Sequence, residues 1–145
     1  MTKHHESGKE QEYLDNWKRA QADFENYKKD EKRRIENAME LGKETLIHDF
    51  LEVKDDLEKA LESARSDDAG HREGIAMTLK KFNDILERYG VHRVKTEGET
   101  FDPEVHEAVQ VAQAEGPPGH VVQEIRAGYT MHGKVIRPAR VIINK

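Results

Sequence analysis

The 145-residue sequence contains no cysteine, and this absence removes several classes of protein. Disulfide-stapled scaffolds, thiolate zinc sites and cysteine nucleophiles are all excluded. Long hydrophobic runs are also missing, because no segment approaches the roughly 20 apolar residues that span a bilayer. The first residues lack the apolar stretch of a secretory signal. We therefore expect a soluble, cytoplasmic protein that has no membrane partner.

Positive charge is not in excess either. The chain has 24 Lys and Arg against 29 Asp and Glu, which gives a net charge of −5. Nucleic-acid binding is disfavoured, because phosphate neutralisation needs net or locally dense positive charge. Charged residues make up 37% of the chain and hydrophobic ones 35%, which is too polar for one thick globular core. Long helices that expose most of their circumference fit this composition.

Helix-breaking residues are almost absent from the first half of the chain. Residues 10–65 contain no proline and one glycine, Gly42, and good helix formers dominate. After a disordered tail over residues 1–9, we predict one long helix with a narrow apolar seam at steps of three and four. A single chain of this size cannot cover the seam, so we expect two chains to pair as a homodimer. The main seam residues are Tyr13, Trp17, Phe24, Leu46, Phe50, Val53, Leu57 and Leu61.

A second, shorter helix is predicted over residues 71–89, after a turn over residues 66–70. Its apolar face includes Ile75, Phe82 and Leu86, and Gly90 is a suitable C-terminal stop. We expect it to fold back on the first helix, so that two chains form a four-helix bundle at the dimer interface. Gly74 then either allows close helix approach in the bundle or lies in a frayed first turn.

The period of the sequence changes after Gly90, and all four prolines lie in this last part. Short alternating runs predict a small β domain over residues 91–145, following a stalk and bundle over residues 10–90. His132 and Gly133 are placed for a tight hairpin. The fold class is therefore predicted as α+β. The predicted strands cover residues 91–94, 109–111, 121–125, 129–131, 135–136 and 141–143.

Catalytic and metal-binding patterns are weak in this sequence. The eight histidines do not make the spacing that converges on a metal ion. Asp55 and Asp56 are helix neighbours and point about 100° apart, so they cannot share a site. A glycine-rich phosphate loop and a serine nucleophile elbow are both missing. We expect no enzyme activity, no cofactor and no metal.

A basic cluster interrupts the long helix, at Lys28, Lys29, Lys32, Arg33 and Arg34. Asp30 and Glu31 dilute its field, which makes nucleic acid a poor partner. The cluster is either a solvated face of the stalk or a docking site for an acidic protein surface.

Two motifs in the β domain carry a family resemblance. Residues 128–139 read GYTMHGKVIRPA, with an aromatic strand, a glycine turn, a basic residue and an Arg-x-Ala strand. Residues 101–108 read FDPEVHEA. Weaker matches lie earlier in the chain, in the same order as in the family, at residues 23–29, 57–62 and 73–75. The chain resembles the GrpE family, the nucleotide exchange factors of DnaK-type heat-shock chaperones.

The resemblance implies a parallel homodimer with paired long helices, a coiled-coil stalk, a four-helix bundle and one β domain per protomer. It implies a co-chaperone in the stress response rather than an enzyme. The β domain would hold open the chaperone's nucleotide-binding domain so that ADP leaves, and the stalk would reach its substrate-binding domain and melt reversibly on heating. The alternative is a structural coiled-coil adaptor whose β domain binds another protein.

The resemblance also assigns roles to individual positions. Lys134, where relatives often carry arginine, would contact the chaperone together with Ile143 and Met131. On the helices, Lys28, Lys29, Asn37 and Ser63 fall at chaperone-contacting positions, although Asn37 loses the ionic contact of a lysine. Positions that would shape the β domain are Phe101, Asp102, Pro103, His106, Gly128, Tyr129, Gly133 and Arg137.

Overall fold

The computed structural model describes residues 3–64 and 69–145 and confirms the predicted α+β class. Two helices come first, α1 (Lys3–Ser63) and α2 (Ala69–Arg88). Six strands follow, and each overlaps one of the predicted runs. They are β1 (Val91–Arg93), β2 (His106–Ala112), β3 (Val121–Arg126), β4 (Tyr129–Met131), β5 (Lys134–Arg137) and β6 (Ala139–Asn144).

Both helices begin earlier than the sequence pattern suggested. Residues 3–9, expected as a tail, belong to α1, although Gly8 among them is a poor helix former. The predicted turn at residues 66–68 lies outside the described residues, and Ala69 and Gly70 already belong to α2. Within the described ranges, 3–64 and 69–145, no helix is both long and apolar enough to cross a membrane.

The chain divides into two compact units, Met1–Lys43 and Glu44–Lys145. In the first unit every described side chain from residue 7 onward is exposed except that of Glu31, which is half-buried. Ion pairs one turn apart join Glu25 to Lys28, Glu31 to Arg34 and Glu40 to Lys43. Each such pair stabilises a helix by only about 0.2–0.5 kcal/mol.

The β domain, residues 91–145, contains two three-stranded sheets. One has the order β1-β4-β5 and is antiparallel. The other has the order β2-β6-β3, in which β6 runs parallel to β2 and antiparallel to β3. The β4–β5 hairpin turns at His132 and Gly133, with φ of 49° and 80°. Two successive positive φ values match a type I′ turn, which explains why glycine is suited to this position.

A first hydrophobic core joins the helices to the β1-β4-β5 sheet. Leu51 of α1 is completely buried, and the half-buried Phe82 and Ile136 pack against the cluster. Burying side chains of this size is worth about 1.5–3 kcal/mol each, so this core holds the sheet against the helices. Its buried members are Ile47, Leu51, Leu86, Val91, Ala127, Tyr129 and Met131.

A second core lies in the β2-β6-β3 sheet around Val121, Ala139 and Val141. Gly128 connects it to the first core, because its backbone approaches that of Ala139 closely. A Cβ atom at Gly128 would lie 2.2 Å from the Ala139 nitrogen. Only glycine fits this crossing of two backbone segments.

The C-terminal part of α1 has two different faces. Ile47, Leu51 and Lys54 are buried, whereas Leu46, Phe50 and Val53, each one position earlier, are exposed. A shift of one residue rotates a side chain by about 100° around the helix. The β domain therefore covers one face of α1 and leaves the predicted apolar seam uncovered in the single chain.

The residues predicted for the dimer and bundle differ in exposure. Tyr13, Trp17 and Phe24 are exposed, as is Gly74, which has open space around it. Phe50 makes an edge contact with Phe82 of α2, with ring centroids 6.2 Å apart. Leu86 is buried against the β domain rather than lying on the uncovered seam. The half-buried members are Leu57, Leu61, Ile75 and Phe82.

Candidate functional site

The β4–β5 hairpin presents a lysine at the surface of the β domain. Lys134 begins β5, directly after the His132–Gly133 turn, and its side chain is 68% exposed. Its Nζ donates to both carboxylate oxygens of Glu44 on α1, at 2.8 and 2.9 Å. An exposed pair of this kind is worth about 0–1 kcal/mol, so Lys134 can exchange Glu44 for another carboxylate at little cost.

The two apolar residues predicted beside Lys134 are less accessible. Met131 is 4% exposed and belongs to the first core. Ile143 is half-buried and packs against the second core. The hairpin surface therefore offers the ammonium group of Lys134, while Met131 supports the hairpin from below.

A buried lysine connects α1 to the β domain. Lys54 Nζ donates to Glu58 Oε1 and to Tyr129 Oη, both at 2.6 Å, and lies 5.1 Å from the Tyr129 ring centroid. The side chain of Lys54 is nearly inaccessible to solvent. A charged group is tolerated in such a place only when it is paired and hydrogen-bonded.

Arg137 is the second buried cation of this region. Its Nε and Nη2 donate to the Ala127 carbonyl at 3.0 and 2.8 Å, and Nη2 also donates to Asp55 Oδ1 at 2.9 Å. Nη1 lies 2.9 Å from Asp55 Oδ2, and this ion-pair contact lacks the geometry of a hydrogen bond. Arg126 reaches the same aspartate from β3, with Nε 3.3 Å from Oδ2. Asp55 thus binds two arginines of the β domain to α1.

A third arginine, Arg93 of β1, extends the contacts along α1. Its guanidinium pairs with Glu124, and Nη1 lies 3.3 Å from Glu58 Oε1. Burial alone would lower the pKa of Arg93, but the hydrogen bond to Glu124 and the charges of Glu124 and Glu58 raise it above its ordinary value. A raised pKa favours the folded state, and this contribution is lost only at strongly alkaline pH.

The FDPEVHEA segment is held by a histidine. The Asp102 amide donates to His106 Nδ1 at 3.0 Å, so Nε2 carries the proton and donates to the Lys95 carbonyl at 2.9 Å. The Asp102 carboxylate accepts from the Glu104 amide at 2.9 Å, and the Phe101 ring lies 6.0 Å from the His106 ring. His106 is buried. Phe101, Asp102 and His106 therefore contact one another within this segment, and Pro103 is exposed in the same turn.

The predicted contact residues on the helices are all exposed. Lys28 pairs with Glu25 at 2.7 Å, and its ammonium lies 5.0 Å from the Phe24 ring centroid. Lys29 and Asn37 have exposed side chains, and Ser63 donates to the Ala60 carbonyl near the end of α1. Lys28, Lys29 and Asn37 belong to the first compact unit, whereas Ser63 and Lys134 belong to the second.

Within residues 3–64 and 69–145, no group of three or more histidine, aspartate or glutamate side chains could hold a metal ion. The ionisable residues that do converge, around Tyr129 and Asp55, are paired with each other and buried against α1.

Sequence reasoning missed the residues that bind the β domain to α1, chiefly Glu44, Lys54, Asp55 and Glu58. A signal was present, because Ile47, Leu51, Lys54 and Glu58 recur at steps of four and three. This second stripe was hidden because it contains a lysine and a glutamate, which are ordinarily assigned to a solvated face.

Comparison with known proteins gives a consistent result over almost the whole chain. The sequence profile of the GrpE family matches residues 2–145. The chain is 40% identical over 140 residues to Protein GrpE of Legionella pneumophila, covering 93% of this chain and 70% of that protein. It is 37% identical over 136 residues to Protein GrpE of Methanobrevibacter smithii, covering 93% and 73%. These matches extend over both β-domain motifs described above, and we conclude that this chain belongs to the GrpE family.

Proposed function

We propose that this protein is a nucleotide exchange factor that binds the nucleotide-binding domain of a DnaK-type chaperone and accelerates ADP release. Membership of the GrpE family supports a co-chaperone role with such a partner. The observation that carries the proposal is the exposed Lys134, at a tight hairpin of a β domain that is firmly bound to α1. A rigid domain that presents a cation in a weak, exposed ion pair is suited to binding an acidic surface.

The mechanism we propose is a population shift. The factor binds the open form of the nucleotide-binding domain more tightly than the closed, nucleotide-bound form, and so favours opening. Linkage requires that bound nucleotide weakens the factor's binding by the same ratio. A coupling of about 1–3 kcal/mol corresponds to a change of roughly 5–150-fold in affinity. The protein itself needs no catalytic group for this activity.

We further propose that the functional form is a parallel homodimer. The apolar seam supports this, because Trp17, Phe24 and Leu46 are each more than half exposed in the single chain. Exposed large apolar side chains that recur along one helix are typical of a surface that binds another protein. Pairing along α1 would cover the seam, and the sections of α1 and α2 around Phe50 and Phe82 would form the four-helix bundle.

Heat sensitivity of the stalk is part of the proposal. Between residues 7 and 43, α1 has exposed side chains and short-range ion pairs, so its helicity in the dimer would depend on the seam contacts alone. Circular dichroism during heating should show a reversible low-temperature transition from the stalk, before the unit Glu44–Lys145 melts. A single transition that removes both together would argue against a separate thermal response.

The exchange activity can be tested by stopped-flow release of a fluorescent ADP analogue from a DnaK-type chaperone. Addition of the protein should accelerate release by roughly 5–150-fold, because a weaker affinity for ADP is expressed mostly in its dissociation rate. Lys134→Glu should abolish most of this acceleration, because it places an acid beside Glu44 and removes the cation.

The matched control for Lys134→Glu is Lys95→Glu, which makes the same charge change at an exposed position of the same domain. It should retain the acceleration. If the wild-type protein is a folded dimer and accelerates nothing, the adaptor alternative is favoured. Equal loss in both lysine variants would show a dependence on net charge rather than on Lys134.

A further inference from the structure

Lys54 is a cation in an unusual place for a helix surface. It lies on α1, is 1% exposed, and is enclosed by the β1-β4-β5 sheet. Removal of its ammonium group from water costs free energy that the hydrogen bonds to Glu58 and Tyr129 must offset. A leucine or methionine would occupy the same position without this cost, so the charge requires an explanation other than stability.

The contacts of Lys54 belong to a larger set that we call the polar clamp: Lys54, Asp55 and Glu58 on α1, and Tyr129 and Arg137 on the β domain. Tyr129 is at its centre. The Lys54 ammonium lies 5.1 Å and the Arg137 guanidinium 5.4 Å from the Tyr129 ring centroid. Lys54 and Arg137 are each tied to an α1 carboxylate, Glu58 and Asp55 respectively.

The clamp is placed at one end of the β4–β5 hairpin. Tyr129 opens β4 and is the register partner of Arg137, the last residue of β5. The opposite end of the same hairpin is the turn that carries Lys134. A rotation of the hairpin on α1 around the apolar core would therefore move Lys134 farther than it moves Tyr129.

The apolar contacts beneath the hairpin do not fix such a rotation. Ile47, Leu51 and Met131 form a hydrophobic cluster, and hydrophobic attraction is not directional. The hydrogen bonds of the clamp are directional, since they weaken steeply when the donor angle departs from linear. Buried ion pairs can often be replaced by apolar groups without loss of stability, and in some proteins they specify one geometry instead.

We infer that Lys54 is a positioning residue, which fixes the orientation of the β domain on α1 through Tyr129 and thereby holds Lys134 in its binding geometry. The effect on chaperone binding rests on the proposed function; the effect on orientation does not. Without the clamp, the β domain samples several orientations. If it adopted the binding orientation one time in ten, the apparent affinity for the chaperone would fall about tenfold.

The orientation can be measured directly, because the chain has no native cysteine to interfere with labelling. Spin labels are attached to cysteines introduced at two exposed positions, Glu62 on α1 and Gln110 on β2. Doubly labelled protomers are diluted with unlabelled protein, so that pulsed electron paramagnetic resonance reports distances within one protomer. The same samples are used for thermal melting and for chaperone binding.

The variant of first interest is Lys54→Met, which keeps the length of the side chain and removes the charge. Its matched control is Lys59→Met, which makes the same change on the same helix at a side chain that is 76% exposed. Tyr129→Phe is the second variant, since it removes only the hydroxyl group that accepts from Lys54. It covers the case in which Lys54→Met misfolds.

We expect the distribution of distances between the two spin labels to be broad for Lys54→Met and of intermediate width for Tyr129→Phe. For Lys59→Met it should match that of the wild type. Melting temperature should fall for Lys54→Met, because Glu58 and the Tyr129 hydroxyl lose the donor they share. Chaperone affinity should fall about tenfold for this variant, in line with the reduced population of the binding orientation.

A distribution for Lys54→Met and Tyr129→Phe that is as narrow as that of the wild type would overturn the inference. A lower melting temperature with unchanged distances would assign Lys54 a purely stabilising role and would overturn it as well. If distances broaden but neither the wild type nor the variant binds the chaperone, the positioning role stands and the proposed function fails.

Discussion

The two compact units of this chain share the helix α1, yet different forces stabilise them. Residues 7–43 expose almost every side chain, and contacts such as the Glu25–Lys28 ion pair join side chains one helical turn apart. Residues 44–145 contain two hydrophobic cores and a buried set of charges. A helix without a tertiary partner is marginal, whereas a packed amphipathic face is stable. The helix of the first unit is therefore expected to be marginal in the single chain, whereas the second unit has two packed cores of its own.

Gly128→Ala should have the largest effect and should be confined to the second unit. The added Cβ would lie 2.2 Å from the Ala139 nitrogen, and neither backbone can move without breaking the contact between the two cores. We expect loss of the folded β domain, with α1 still able to pair. Amide NMR spectra of the β domain would report this, and native dispersion of those signals in the variant would contradict the close approach.

Leu51→Ala should destabilise the second unit by about 3 kcal/mol, because it leaves a cavity in the first core. The matched control is Leu46→Ala, the same change five residues earlier on an exposed face. It should leave the unfolding free energy of the β domain unchanged and weaken the dimer. Urea denaturation followed in the β domain distinguishes the two, and equal destabilisation by both would remove the distinction between the faces.

Trp17→Ala should leave the β domain untouched and weaken dimerisation by about 2 kcal/mol, the value typical of an aromatic anchor at an interface. Trp17 is 60% exposed in the single chain, so a partner is needed for any such effect. Sedimentation equilibrium gives the dimer dissociation constant. A constant equal to that of the wild type would place the interface away from this part of the seam.

Gly42→Ala should have the smallest effect, a stabilisation of the helix by about 0.5–1 kcal/mol. A Cβ atom at Gly42 meets nothing within 4 Å, in contrast to Gly128. The helix content measured by circular dichroism should rise slightly, and so should the temperature at which the helix melts. A destabilisation would contradict this expectation and would mean that Gly42 is packed closely against a second chain.

The predictable part of the fold was the part encoded locally. The two helices and six strands follow from periodicity and from the positions of glycine and proline, as at Gly90 and Gly133. Pairing between distant segments had no such signal. The parallel contact of β2 with β6 and the hydrogen bond from Lys54 to Tyr129, 75 residues apart, depend on how the chain folds back on itself.

The candidate site was predictable to a similar extent. The motif around Lys134 identified the hairpin and its exposed cation, but it also suggested a surface role for Met131, which the structure buries. Alternation within β4 could have indicated this, since Tyr129 and Met131 share one face of the strand. Glu44, the partner of Lys134, lies on a helix 90 residues earlier and could not be paired with it from sequence.

The most direct test of the proposed exchange mechanism is the affinity of this protein for a DnaK-type chaperone, measured by calorimetry without nucleotide and with saturating ADP. Binding to the nucleotide-free chaperone should be tight, and with ADP it should be weaker by roughly 5–150-fold, equal to the factor by which the protein weakens ADP binding. Equal affinity in the two conditions would contradict the proposed mechanism, because a partner that binds both forms equally cannot open the cleft.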